Sequence, residues 1–443
     1  MSLSESYDLN SDFGSDSFGF GFSQDTPPDG CTQCGQCMPS CPTYKQSGEL
    51  VHSPMGRIQI MRNINNDDYA YQRQDYLALE NCLACGTCET VCPSKVDYTG
   101  MLYESKATLE THQKNPLSTK VLLGLLKYPR LLDTLTKLAK PLIPLADNMK
   151  DKVASQELKS LFNGLYFLKF TGQRDTRSYS KLPISKTPYK VSLFTACVSN
   201  VFDRQVLEAT KSLLYSCGVE VKVPEKQRCC GSAHVHNGDR EAAKALATKN
   251  LQMLANSSTD TIITTASACG KFLKEYDTFV KAEDSSDAST RSRPMEEIVT
   301  DISTWLVNSK VLNDFAFNAC DKVVVLHTPC TMKTDEQAPF AVKNLLSRIP
   351  GLRIHELTET ISCCGAGGSH LVMQPENSRD IGLESIDEIK KINPDIVLTS
   401  NTVCSLQLKR GLHEQNLNCE VLHPVQLLER QLQEQRRAYE PVY

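Results

Sequence analysis

Eight cysteines fall into two runs of one pattern. Cys31, Cys34, Cys37 and Cys41, followed by Pro42, are spaced C-x2-C-x2-C-x3-C-P, and Cys82, Cys85, Cys88 and Cys92, followed by Pro93, repeat it. Thiolates at this spacing hold [4Fe–4S] clusters, with three sulfurs of a run on one cube and the fourth carried to the other. The pattern predicts two adjacent [4Fe–4S] clusters, one on Cys31, Cys34, Cys37 and Cys92 and one on Cys82, Cys85, Cys88 and Cys41. Adjacent clusters move single electrons, so the chain reads as a wire within a redox enzyme. Gly35 and Gly86 stand where backbone must pass close to sulfide, which suits a residue without Cβ. Zinc knuckles end at four ligands in two spaced pairs and fit this arrangement poorly.

A second set of eight cysteines is organised by an internal duplication. An apolar run from Lys190 leads to Cys197, then come Cys229-Cys230-Gly231, a helical stretch over about 239–255, and an apolar run that leads to Cys269. The same order returns with Cys330, Cys363-Cys364-Gly365, a helical stretch over about 379–391, and Cys404. The first Cys precedes the pair by 32 and 33 residues, and the pair precedes the last Cys by 39 and 40. Repeats of this kind constrain a fold more than local propensity does. Alternating strands and helices predict parallel sheets, with sites beyond the carboxyl ends of the strands. Each half should therefore gather four thiols: Cys197, Cys229, Cys230 and Cys269, then Cys330, Cys363, Cys364 and Cys404. Four soft ligands suit a further Fe–S cluster or zinc. Gly365, Gly367 and Gly368 read as close backbone approach to such a centre, because the third glycine of a dinucleotide loop is replaced by His370. Cys217, Cys320 and Cys419 read as small buried hydrophobes, and His234, His236, His327 and His370 as packing or surface groups.

The elements that must position these residues follow from length and composition. At 443 residues the chain suggests several domains, and the fold class read from it is α+β multidomain. Residues 1–30 form an acidic, Ser- and Gly-rich tail that reads as disordered, although Phe13, Phe18, Phe20 and Phe22 punctuate it. Residues 31–110 form the helical two-cluster, ferredoxin-like domain. In it Ile58, Met61 and Ile64 lie at helical spacing and predict a helix covering the clusters. Residues 111–189 form a basic helical connector. Between Leu117 and Lys150 it carries six Lys or Arg against two Asp, beside Leu122, Leu125, Leu126, Leu132, Leu135 and Leu138. Such a stretch suits either peripheral contact with an anionic membrane or packing on the protein's own core. Pro183 and Pro188 mark a linker into the duplicated α/β domain, 190–443, with halves of about 190–315 and 316–443.

A net charge of −4 gives no general argument for nucleic acid. No apolar run reaches the length of a membrane span. The N-terminus lacks the basic and apolar regions of a secretory signal, so a reducing, cytoplasmic setting is expected, with peripheral attachment to the inner face of the membrane as its variant. No flavin or nicotinamide fingerprint is present, so FAD and NAD are expected on another polypeptide. No residue of this chain is assigned a catalytic role.

With these residues in hand, the chain resembles the iron–sulfur subunits of glycolate oxidase. The resemblance rests on the two ferredoxin-type runs, Gly56-Arg57-Ile58, the stretch from Thr265 through Cys269 to Tyr276, His327-Thr-Pro-Cys330 and the doubled Cys-Cys-Gly motif. Related subunits serve lactate utilisation, anaerobic glycerol-3-phosphate dehydrogenase and heterodisulfide reductase, and these are the alternative functions. The resemblance implies FAD-containing dehydrogenase subunits as partners, a 2-hydroxy acid such as glycolate as their substrate, and quinone as the downstream acceptor. Heterodisulfide reductase relatives use a fifth Cys three residues beyond the last of each unit. Those positions here are Phe272 and Gln407.

Overall fold

The computed structural model describes residues 29–64, 72–171, 189–255, 259–281, 293–358 and 363–438. The Phe-bearing segment 1–28 and the linker prolines Pro183 and Pro188 lie outside them. Asp29, the last acidic residue before the first cysteine, is firmly held. Its carboxylate accepts from Arg62 at 2.6 and 2.8 Å and from the amide of Cys31 at 2.9 Å.

The cysteine runs are loops closed by short helices, because three ligands spaced every third residue leave no room for regular hydrogen bonding. Each loop uses the left-handed region twice at matching positions: Gln33 and Gly35 in the first, Ala84 and Gly86 in the second. Gln33 and Ala84 adopt a φ that L-residues rarely take, a cost tolerated where surroundings impose it. The helix Pro42–Ser47 starts on the proline that ends the first run, where the missing N–H costs nothing. The helix Pro54–Ile64 buries Ile58, Met61 and Ile64 as their spacing predicts, and also Arg57.

Among the described residues eight strands follow: β1 (Lys190–Phe194), β2 (Glu220–Lys222), β3 (Thr261–Thr264), β4 (Val299–Asp301), β5 (Val323–His327), β6 (Arg353–Glu356), β7 (Ile396–Thr399) and β8 (Glu420–Leu422). They form two parallel four-stranded sheets, ordered β2-β1-β3-β4 and β6-β5-β7-β8. The strand order is the same in each, so the duplication read from cysteine spacing is a duplication of topology. Val191 of β1 pairs with Val221 and Thr261, and Val324 of β5 pairs with Ile354 and Ile396. The class is thus a helix-rich α+β chain, with an N-terminal cysteine-loop unit and two parallel α/β repeats.

The two repeats share one core. Leu193, Ile263 and Trp305 from the first sit in one apolar cluster with Leu326, Leu398 and Leu428 from the second. Burial of side chains this size stabilises by about 1.5–3 kcal/mol each, so the halves hold each other together. Hydrogen bonds cross between the loops that carry the cysteines: Ser199 to Thr402 at 2.7 Å, Ser267 to Thr331 at 2.7 Å, and the Ser267 amide to Ser400 O at 3.1 Å. The connector helices Leu117–Leu126, Pro129–Ala139 and Gln156–Tyr166 pack on this face, where Lys159 pairs with Glu376 at 2.6 Å. Leu126 and Leu132 are buried as expected of core-facing positions, whereas Leu135 and Leu138 are exposed.

Candidate metal centres

The two cysteine loops line two neighbouring hollows. Cys31, Cys34, Cys37 and Cys92 face one, and Cys41, Cys82, Cys85 and Cys88 face the other. Apart from Cys88, which lines both hollows, the spacing pairs the same residues. Pro54, Cys88 and Tyr98 wall both hollows, which makes the two centres immediate neighbours. Burial, reinforced by the sulfurs of Cys31, Cys34 and Cys92, raises the Cys37 thiol, and burial with Cys85, Cys82 and Cys41 raises Cys88. Four crowded sulfurs resist ionising together, and a bound cation reverses that preference.

The second hollow has a permanent positive charge beside it. Arg57 is 1% exposed; its Nε donates to Ala78 O at 2.7 Å and its Nη1 lies 3.8 Å from Cys41 Sγ. Burial works against the Arg57 cation, but the sulfurs of Cys82 and Cys41 hold it protonated. Burial would likewise raise Cys82, yet Arg57, Lys106 and the Tyr98 hydroxyl at 3.5 Å hold it below the ordinary thiol range.

Each α/β repeat gathers its own four sulfurs by the same device. Cys197 and Cys330 lie three residues beyond β1 and β5, the Cys-Cys pairs begin seven beyond β2 and β6, and Cys269 and Cys404 lie five beyond β3 and β7. All eight therefore sit past the carboxyl ends of parallel strands, where such sheets place their sites. In the first quartet Cys197 and Cys229 Sγ are 3.3 Å apart and Cys230 and Cys269 Sγ 3.4 Å apart. In the second, Cys364 and Cys404 Sγ are 2.9 Å apart. Burial and then its neighbours Cys364, Cys330 and Cys85 raise Cys363, so the second quartet and the second hollow lie within electrostatic reach. The glycines bring this about. Gly365 has φ +77°, and a Cβ there would stand 2.2 Å from Ser378 O; a Cβ on Gly367 would stand 2.6 Å from Leu83, between Cys82 and Cys85.

His327 is the residue that sequence reasoning underweighted. It ends β5 and is 1% exposed. A ring nitrogen and the sulfurs of Cys364 and Cys404 all lie within 4.8 Å of one another. Its Nδ1 is 2.9 Å from Thr399 Oγ1, the kind of outer hydrogen bond that fixes the tautomer of a ligating imidazole. The repeat could have flagged it, because Phe194 occupies the corresponding end of β1. His234 instead faces Leu123 O at 3.1 Å, His236 faces Tyr103 Oη at 3.0 Å, and His370 faces Asn377 at 3.1 Å. Phe272 packs edge-on against Tyr276 and Tyr103, and Gln407 Nε2 donates to Ser378 O at 2.8 Å. Cys217 and Cys320 are buried in the shared core, and Cys419 is half-buried.

Among the described residues, no helix is long and apolar enough to cross a membrane.

Comparison with known proteins bears on the same residues. The family described as "4Fe-4S dicluster domain" matches residues 28–96, and that described as "Cysteine-rich domain" matches twice, at 191–274 and 324–409. A protein of Bacillus subtilis named "Probable glycolate oxidase iron-sulfur subunit" is 28% identical over 420 residues, covering 88% of this chain and 90% of its own. The "Glycolate oxidase iron-sulfur subunit" of Escherichia coli is 25% identical over 389 residues, covering 85% and 89%. A fumarate reductase (CoM/CoB) subunit of Methanothermobacter marburgensis is 26% identical over 413 residues, covering 90% and 71%.

Proposed function

For a chain that joins a 4Fe-4S dicluster domain to two cysteine-rich repeats, and that is homologous to glycolate oxidase iron-sulfur subunits, we propose the role of an electron-transfer subunit in a 2-hydroxy-acid dehydrogenase, with glycolate as the first candidate substrate. A flavin-bearing partner oxidises the acid, and this chain carries the electrons one at a time towards quinone. The observation that supports this reading is the row of sulfur sets: the first hollow, the second hollow, then the second quartet, each beside the next.

The donor set fits iron–sulfur clusters in the two hollows: four soft sulfurs each, with a fixed cation beside the second. When bound, the clusters supply reversible one-electron chemistry at a potential set by charge, hydrogen bonding and exposure. Cys31, Cys34, Cys37 and Cys92 would hold one and Cys82, Cys85, Cys88 and Cys41 the other. Pro54, Ile58 and Tyr98 wall the first hollow on its buried side. Arg57 offsets the negative charge that four thiolates bring to the second hollow. Cys330, Cys363, Cys364 and Cys404 would hold a further metal, and His327 joins them as a nitrogen donor. Cys197, Cys229, Cys230 and Cys269 would hold another without nitrogen. Phe272 and Gln407 offer no sulfur where a fifth thiolate would stand, which argues against a disulfide-splitting centre.

Replacement of Cys85 by Ala tests the relay. The expected outcome is loss of one cluster signal and of electron delivery to quinone by the whole complex, while the acid still reduces the partner's flavin. Unchanged turnover would remove the wire from the scheme.

A further inference from the structure

We propose that the cavity between Asp203 of the first repeat and Lys409 of the second binds a small zwitterion, an amino acid with one ammonium and one carboxylate. The cavity lies where the two repeats meet and has a volume of about 290 Å³, the small end of ligand sites. Phe202, Asp203 and Val206 line it from the first repeat, and Thr399, Lys409 and Gln426 from the second. None of the sixteen cysteines given to metals lines it, so the space is not room that those metals would take. Its walls carry opposite charges. Asp203 is 7% exposed, and burial raises its carboxyl, while the Lys409 cation and the Thr402 hydroxyl act the other way. Lys409 is half-buried. The two are within electrostatic reach, yet neither enters an ion pair among the described residues.

The duplication shows what such a pair does when it closes. Lys274 and Lys409 each stand five residues beyond the last cysteine of their repeat, Cys269 and Cys404. Lys274 crosses the junction and pairs with Asp335 at 2.9 Å, five residues beyond Cys330. Asp203, six residues beyond Cys197, is the matching acid for Lys409, but here the cavity stands between them. Charges held off water cost free energy unless a counter-charge reaches each. The neighbours do not supply one. Glu420 is taken by Arg430, at 2.6 and 2.9 Å. Gln426 gives its Oε1 to the His423 amide at 2.9 Å, which leaves its NH2 to donate to an anion. The donors do not converge as metal ligands do; among the described residues only His327, Cys364 and Cys404 form such a group. A ligand carboxylate on Lys409 and Gln426, with a ligand ammonium on Asp203, satisfies both walls. Inorganic phosphate would answer Lys409 and set its own charge against Asp203. A 2-hydroxy acid would leave Asp203 without a counter-charge. Thr399 lines the same cavity, and its hydroxyl is 2.9 Å from His327 Nδ1, so the occupant bridges the repeats one side chain away from the second quartet.

The test uses the full chain, purified anaerobically with its metals. Every common protein amino acid is added singly in thermal melts, since a ligand of the folded state raises the melting temperature, and those that raise it are titrated by calorimetry. At least one is expected to bind saturably. Its 2-hydroxy analogue, which lacks the ammonium, and its amide, which lacks the carboxylate, are expected to bind roughly tenfold or more weakly, as is inorganic phosphate. Lys409→Met and Asp203→Asn are each expected to weaken binding by roughly tenfold or more, the scale of losing one partner of a buried charge pair. Lys274→Met opens the closed pair instead and is expected to bind as the parent does. Iron content and the melt without ligand establish that each variant is folded. Where one cavity variant does not fold, the other variant and the analogue series on the parent chain decide. Absence of saturable binding by any amino acid, a 2-hydroxy analogue or phosphate that binds as tightly as the amino acid, or parent-like affinity in the folded cavity variants would overturn the assignment.

Discussion

His327 and Arg57 carry the residue-scale account, and each leads to a measurable consequence. Thr399 Oγ1, 2.9 Å from His327 Nδ1, orients the ring that would bind metal. Thr399→Val should therefore lower metal affinity of the second quartet by roughly 10–100-fold, as loss of an outer hydrogen bond does, and leave the first quartet unaffected. Metal per chain, measured during chelator titration, checks this. His327→Phe copies Phe194 and should also abolish any nitrogen coupling in pulsed EPR of the second quartet's metal. Arg57→Gln removes a permanent charge beside Cys41 and Cys82. It should make one cluster harder to reduce, shifting its midpoint to a more negative potential in an EPR-monitored titration, while the other moves less. Which cysteines stand near one another was legible from their spacing and from the internal repeat, since covalent order limits which thiols a loop can bring together. His327 was not, because its importance depends on which of two residues at equivalent strand ends points at sulfur. Arg57 looked like one more residue of a covering helix until its burial against Cys41 was seen.

Loops and caps dominate the element scale. Gly365→Ala puts a Cβ against Ser378 O at a left-handed φ, and should destabilise the chain by about 1–3 kcal/mol or more. Gly124→Ala, inside the helix Leu117–Leu126 with open space around it, should instead stabilise by about 1 kcal/mol. Thermal or chemical denaturation separates the two. Asp301 ends β4 and caps the next helix, accepting from the Ser303 amide at 2.8 Å. Burial pushes its carboxyl up to about 6, and its Oδ2 has no partner. The folded state thus holds this proton more tightly than the unfolded chain. Its contribution to stability is full below the ordinary carboxylate range and lost as pH rises through about 6, roughly 3 kcal/mol in all. Asp301→Asn keeps the cap and should flatten that loss in denaturation measured between pH 4 and 7. The parallel sheets were readable because apolar runs ended repeatedly at cysteines. The outward turn of Leu135 and Leu138 was not, because helical periodicity marks an apolar face without saying what covers it.

Across the whole molecule, two α/β repeats with one core present their sulfur-bearing ends to a cysteine-loop unit. An apolar cluster that holds Ile58, Leu102 and Tyr103 together with Phe194, Phe272 and Tyr276 sets this arrangement, and polar and close contacts add to it: Tyr103 to His236 at 3.0 Å, Asn115 to the Asn237 carbonyl at 2.7 Å, and Gly367 against Leu83. None of these long-range pairings leaves a pattern in the sequence, so the continuity of the sulfur row is a product of docking rather than of either unit alone. The most direct measurement is low-temperature EPR of the full chain, prepared anaerobically and titrated with dithionite alongside iron, sulfide and zinc analysis. The expected result is two magnetically interacting [4Fe–4S] signals, with Cys37→Ser and Cys85→Ser each deleting a different one. A colourless protein, free of iron and silent after reduction, would contradict the account.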